Sequence, residues 1–250
     1  MDKLLAIGTD AKTVKGQKIG VLTGILYLAP YDISGYQVCP KASEGCKQSC
    51  LYTAGRGGFT NVQAGRIRKT KLFFEDRESF MFTLAKNIKA LVRKAKRESL
   101  TPAVRLNGTS DILWERIGLS FEGIEYSNIM DLFPSVQFYD YTKIPNRDKN
   151  QPVNYHLTFS LTEDNLREAF TEAQASPRRN IAVVMDLKPN QPKPLTFRDW
   201  PVIDGDTSDV RFYDEVGFHY VALTAKGRAK KDDTGFVIKL ADETVSPVFA

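Results

Sequence analysis

Apolar residues recur along this chain at two spacings. Short runs rich in β-branched and aromatic residues read as strands: Val21–Leu28 (VLTGILYL), Ala103–Leu106 (AVRL), Val136–Tyr141 (VQFYDY), Tyr155–Leu161 (YHLTFSL), Ile181–Asp186 (IAVVMD), Val202–Ile203 and His219–Thr224 (HYVALT). From about Thr60 the spacing turns helical. Phe80, Leu84, Ile88, Leu91 and Ala95 form one apolar stripe on a long helix, with lysines and arginines opposite and Pro102 beyond its end. A further helix is expected over Thr162–Ala175, with Thr162 as N-cap and Leu166, Ala169, Phe170 and Ala173 as its buried face.

Strand-then-helix alternation implies a mostly parallel sheet, because helical crossovers return the chain to the same edge. The fold expected is α/β: a complete or partial (β/α) barrel, TIM-barrel-like, forming one domain over residues 1–250. A chain of 250 residues, 42% of them hydrophobic, can bury one sizeable core. No repeat or low-complexity block occurs, although Asn190–Pro194 (NQPKP) reads as an extended, Pro-punctuated loop. No run of about twenty apolar residues is present, and MDKLLAIGTDAK lacks the basic-then-apolar order of a signal peptide. The expectation is a cytoplasmic protein with no membrane partner.

Three cysteines change the picture. Cys39, Cys46 and Cys50 lie on the loop after the first expected strand, with gaps of six and three residues. Barrels and doubly wound sheets place their chemistry at strand C-termini. An odd number of cysteines crowded into twelve residues argues against a disulfide framework and for a shared ligand. Thiolates suit both zinc and iron–sulfur clusters, and Gly35 and Gly45 could supply the turns that close the loop. A structural zinc site wants four protein ligands, and the remaining soft donors are His156 and His219, each in its own expected strand. A cluster on three thiolates would leave one iron open. One or two of these cysteines acting as plain buried residues is the third alternative.

Other residues gather around the same loop. Thr53–Phe59 (TAGRGGF) is a Gly-rich turn carrying Arg56 and running into a helix N-terminus, either an anion-receiving segment or an ordinary flexible turn. Asn107, Gly108, Thr109, Ser110 and Asp111 leave the second expected strand; they would contact a ligand's polar head group or form an Asx-type turn that caps a helix carrying Trp114. Arg105, Asp140, Ser160 and Asp186 sit in or at the ends of strands and are candidates for the mouth of the fold. Asp204–Asp209 superficially resembles a calcium loop but lacks its terminal bidentate Glu, so a solvated turn is expected there. Lys226 is a surface lysine or a phosphate contact. No P-loop, dinucleotide fingerprint, G-x-S-x-G elbow or H-E-x-x-H occurs, which removes the common NTPase, dehydrogenase, serine-hydrolase and zincin readings. The net charge of +5 owes much to Arg66, Arg68, Lys69, Lys71 and Lys86–Arg97, so these helices are either solvated faces or a surface for nucleic acid or another phosphate-bearing partner.

The combination of Cys39-Pro, Cys46 and Cys50, then Thr53-Ala-Gly-Arg56-Gly, Gln63-Ala-Gly-Arg66-Ile-Arg68-Lys69-Thr70 and Val104-Arg-Leu-Asn-Gly-Thr-Ser-Asp111 resembles the bacteriophage family called gene product 88. The resemblance covers roughly Val21 to Trp114 and implies a phage or prophage origin, hence a host-cytoplasm location, and no particular activity. More widely, the arrangement is similar to radical-SAM proteins, which have a partial barrel, a three-cysteine loop after the first strand and a Gly-Gly-Glu segment after the second. Asn107, Gly108 and Thr109 occupy that second place; the cysteine gaps and the missing Gly-Gly-Glu depart from the pattern. The resemblance implies a [4Fe-4S] cluster on Cys39, Cys46 and Cys50, with S-adenosylmethionine held by Asn107, Gly108, Thr109 and Asp111. The other version of the expectation is a Lewis-acid hydrolase or hydro-lyase. In both, Arg56, Arg66 and Arg105 would hold an anionic small-molecule substrate, and Arg56, Arg105 and Asp111 are the catalytic candidates. The rival is a non-enzymatic zinc module whose basic helices contact nucleic acid.

Overall fold

A computed structural model describes residues 3–8, 11–147, 151–175, 179–188, 191–243 and 245–246. The chain opens with β1 (Leu5–Ile7), α1 (Ala11–Gln17) and β2 (Val21–Leu26), and a long loop containing α2 (Glu44–Gln48) leads to α3 (Thr60–Glu75) and α4 (Arg77–Arg97). Then follow β3 (Thr101–Arg105), the hairpin of β4 (Leu119–Phe121) and β5 (Ile124–Tyr126), α5 (Ile129–Leu132), β6 (Gln137–Thr142), β7 (Tyr155–Ser160), α6 (Leu166–Ala175) and β8 (Ile181–Met185). The last part holds β9 (Thr196–Phe197), β10 (Trp200–Asp204), β11 (Tyr220–Thr224), β12 (Val237–Ile238) and β13 (Val245–Ser246).

Every strand expected from the β-branched runs forms. β2, β3, β6, β7, β8, β11 and β10 lie side by side in that order, all parallel. Antiparallel β1 covers the outer edge of β2 and antiparallel β9 that of β10. The hydrogen-bonded path therefore runs from β1 to β13 and, among the described residues, does not close. What stands is a mixed α/β architecture with a large, mostly parallel sheet. β2 is the second strand of the chain and the first parallel one, so the cysteine loop follows the first parallel strand.

One layer of helix and loop packs on each face. Phe80, Leu84, Ile88, Leu91 and Ala95 of α4 are all fully buried against Leu22, Leu26, Val104, Phe138 and Trp114, as their spacing predicts. The expected long helix is α4, and a separate helix, α3, precedes it; the two part at Asp76, whose carboxylate accepts the Ser79 amide and caps α4. On the opposite face, Val210 and Phe212 fold in against Val21, Ala103 and Tyr139. α6 starts later than its pattern suggested. The Thr162 hydroxyl donates to Asp164 instead of capping, Leu166 is exposed, and Glu172 takes the buried place because it pairs with Arg179 and accepts the Asn146 amide. The expected Asn190–Pro194 loop begins outside the described residues.

Two features of the sheet position what lies above it. β12 lies beside Val184 and Met185, on the edge of β8 that pairs with β7 at Ile181 and Ala182, so it wedges between the C-terminal ends of β7 and β8. At the neighbouring strands, Gly108 presses on the exit of β2: a Cβ there would stand 2.7 Å from the Leu26 carbonyl oxygen and 2.7 Å from the Tyr27 ring. Gly108→Ala must separate β2 from β3 at their C-terminal ends, and should cost about 1–3 kcal/mol in a urea melt, with the secondary structure retained by circular dichroism.

Candidate functional site

The C-terminal ends of the parallel strands open into a cavity of about 1040 Å³. Its position follows from chain geometry, since a parallel strand's exit loops all rise on one side and leave a crevice between them. Cys39, Cys46 and Cys50 all line it.

Each cysteine is held by a different device. Tyr31 adopts a left-handed backbone (φ 38°) that turns its amide onto the Cys39 sulfur at 3.3 Å, and Gly35 (φ 90°) completes that turn. Cys46 lies within α2, which Ser43 caps by accepting the Cys46 amide at 3.1 Å. Cys50 follows just past the end of that helix. α2 is pinned from outside: Glu163 accepts the Gly45 amide at 2.7 Å and the Ser43 hydroxyl at 2.8 Å, and the Ser49 hydroxyl meets Asp232 at 3.3 Å. Gly45 is helical rather than a turn, and it is needed because Thr234 and Phe236 press against its missing side chain.

Lys143, two residues beyond the expected end of its strand, escaped the sequence reading, although the strand-end rule that singled out Asp140 reaches it. Burial alone would lower its pKa, but Cys46, Asp111 and Cys39 outweigh that and keep the ammonium charged. Burial pushes the Cys39 thiol up to about 12 and raises the Cys50 thiol as well. The site is therefore a group of half-buried thiols facing a half-buried cation.

The other expected residues take distinct places. Asp111 accepts from the Thr142 hydroxyl (2.9 Å), the Lys143 amide (2.8 Å) and Arg147 (3.1 Å). Asn107 uses its carbonyl oxygen on Ser110, the Ile112 amide and the Trp114 indole, so its side chain shapes the loop; Trp114 sits in a single 3-10 turn. The Thr109 hydroxyl donates to the Leu28 carbonyl at 2.5 Å, and its own carbonyl faces the Cys39 sulfur at 3.8 Å, which stitches the β3 exit to the cysteine loop. Arg105 is bonded to Asp209 at 2.6 Å, so its charge is answered within the protein. Arg56 is exposed on the cavity rim. Ser160 lines the cavity, Asp140 is fully buried beneath it, and exposed Asp186 accepts the Leu240 amide away from it.

The Asp204–Asp209 segment forms the expected turn with Asp204 and Thr207 exposed, but it is not solvated throughout. Asp206 binds Lys193 and Lys226 at 2.8 Å each and accepts the Thr224 amide, and Asp209 is buried on Arg105, because the loop folds back over the sheet and forms the cavity floor. Both histidines lie elsewhere. His156 lines a second cavity of about 460 Å³ at the opposite ends of the strands, and the His219 ring meets the Gly217 carbonyl. Nine lysines and arginines line the cysteine cavity against three aspartates, so positive charge predominates on its wall. On the basic helices, Lys89 pairs with Glu122 and Lys94 with Glu98, while Lys69 turns inward onto the Leu4 carbonyl.

In metal-free protein, a thiol at about 12 is almost wholly protonated at neutral pH, and the thiolate is the nucleophile. Alkylation of Cys39 by iodoacetamide at pH 8.5 should run about a thousandfold slower than that of an ordinary exposed cysteine, and should climb roughly tenfold per pH unit toward 12. Mass spectrometry of the labelled peptide against pH checks this; a plateau near pH 9 would show that the thiol is not held neutral.

No helix among the described residues is long and apolar enough to cross a membrane. Neither the curated proteins nor the solved structures contain a match to the chain. The family model described as gene product 88 matches residues 3–240, far beyond the motifs that first pointed to it. The chain belongs to the gene product 88 family.

Proposed function

We propose that this protein is an enzyme that holds an iron–sulfur cluster on Cys39, Cys46 and Cys50 and works on a small anionic molecule in the cavity they line. One observation carries this reading: three thiols and no histidine open onto the large cavity at the C-terminal ends of the parallel strands. The donor set, three soft thiolates with no histidine beside them, suits a cluster that keeps one iron open better than a four-ligand zinc site. Among the described residues no group of three or more His, Cys, Asp or Glu is placed to hold a metal ion, so binding of either kind would draw the cysteines together. The half-buried Lys143 suits the net negative charge of three thiolates around a cluster.

When bound, the cluster would supply either an electron for reductive cleavage of S-adenosylmethionine or a Lewis-acidic iron for hydrolysis or hydration. The chain's own residues do the rest. Lys143 holds positive charge beside Cys46 and Cys39, and Asp111 fixes the backbone of Lys143. With the Asn107 and Asp111 side chains committed internally, contact with a cofactor falls to the lining backbone of Gly108, Thr109 and Ser110. The cavity lies at the upper end of ordinary ligand sites, about 300–1,000 Å³, and has room for a nucleoside-sized cofactor beside a substrate. A mostly parallel sheet whose strand order β2, β3, β6, β7, β8 follows the chain supports the S-adenosylmethionine version.

Anaerobically purified protein is expected to be brown, with about four irons and matching sulfide per chain. Cys39→Ser, Cys46→Ser or Cys50→Ser should each abolish the chromophore. A colourless protein carrying one zinc sinks the proposal. Incubating reduced protein with S-adenosylmethionine separates the two versions: release of 5′-deoxyadenosine supports radical chemistry, and its absence with turnover of a simple ester or hydroxy acid supports the Lewis acid.

A further inference from the structure

We propose that the α3 wall of the cavity is a phosphate subsite, in which the N-terminal turn of α3 and the Arg66 guanidinium bind the phosphate or diphosphate end of a small phosphate ester. This deepens the enzymatic reading and rests on it only in calling that ester the substrate.

Asn61, Val62, Gly65, Arg66 and Lys69 of α3 line the cavity. The helix opens on Phe59 with no side-chain cap and no acidic residue in its first turn; the Asn61 side chain accepts only the Val62 amide. Its positive dipole end therefore faces the cavity without a protein carboxylate in that turn. Arg66 supplies the independent observation. It is 8% exposed, and its Nε and Nη1 have no hydrogen-bond partner. Tyr27 and Tyr52 flank its guanidinium at 4.9 and 5.5 Å from their ring centres. Those rings orient the cation, but they do not neutralise it, and a buried charge without a counter-ion is costly unless a ligand completes it.

The cavity's own carboxylates do not complete it. Asp206 is taken by Lys193 and Lys226, Asp209 by Arg105, and Asp111 by Arg147. Lys69 adds a second cation one turn along. Its burial, with Arg66, Arg68 and Lys3 nearby, lowers its pKa to about 8, a sign of positive charge in excess on this wall. Helix side chains lean toward the N-terminus, so the Arg66 head lies over the turn preceding it and approaches the first amides. Those amides begin six residues earlier, about 9 Å along the axis. A phosphate or diphosphate spans that remainder and offers the multiple charge that two cations and a helix terminus call for, whereas a carboxylate offers one. The recess of Arg66 favours a small ester over the backbone of a nucleic acid.

Isothermal titration of the full chain with orthophosphate and pyrophosphate, against acetate and a single-stranded oligonucleotide, tests this. Saturable binding of phosphate or pyrophosphate is expected, weakened about tenfold or more by Arg66→Gln and mostly kept by Arg66→Lys. Arg93→Gln, on the exposed side of α4, should leave it unchanged. If Arg66→Gln does not fold by thermal melt, Lys69→Gln must show the weakening instead. The subsite is overturned if neither anion binds saturably, if acetate binds as tightly, or if the oligonucleotide binds more tightly and independently of Arg66. Iron content and visible spectrum are read on the same samples. Loss of the cluster with phosphate binding intact counts against the enzymatic reading alone, and an intact cluster without phosphate binding counts against the subsite alone.

Discussion

The buried carboxylate of Asp140 is the contact on which the arrangement above the sheet depends. Where β3 stops pairing, the amides of Leu106 and Asn107 would be left without acceptors, and Asp140 takes both, at 3.2 and 2.9 Å, along with the Tyr155 hydroxyl at 3.0 Å. Complete burial pushes its pKa up to about 7, although Arg105, the Asn107 amide and Tyr155 pull the other way. Capping the strand at that point sets the direction of the 107–111 loop. The loop in turn carries Asn107 onto Trp114, Thr109 onto the β2 exit and Asp111 onto Lys143 and Arg147. One desolvated carboxylate thus links the end of a strand to the placement of the cation that faces the cysteines.

A division of labour among charges follows. The carboxylates near the cavity are consumed by structural pairings, while Arg66, Lys69 and Lys143 are turned inward with no carboxylate among the described residues bonded to their side-chain nitrogens. Burying charge in this way lowers stability unless something negative completes the set. On the proposed reading, metal-bound thiolates would supply that charge on one side and a ligand anion on the other.

Much of this was legible in the chain's pattern, and the failures share a cause. The β-branched runs marked the parallel strands because most of them, though not β10, are largely buried, and the stripe on α4 marked the helix that covers them. β1, β9, β12 and β13 were missed since two or three residues carry no period; only distant pairing makes them strands. Asp206 and Asp209 read as a turn because their partners Lys193, Lys226 and Arg105 lie far from them in sequence. Lys143 is one lysine after a strand, and nothing local separates it from a surface lysine. The three cysteines could be grouped from spacing alone, whereas the cations around them could be grouped only in space.

The wedge formed by β12 has a consequence for how the protein is made. Residues 39–50 leave the ribosome early, yet α2 is held by Ser49 on Asp232 and by Thr234 and Phe236 against Gly45, all supplied by the segment leading into β12. Nearly two hundred residues of synthesis separate the two halves of that contact. The cysteine loop emerges first and is clamped late. During that interval its thiols are more accessible than in the finished fold, and they are enclosed only once β12 locks into the sheet.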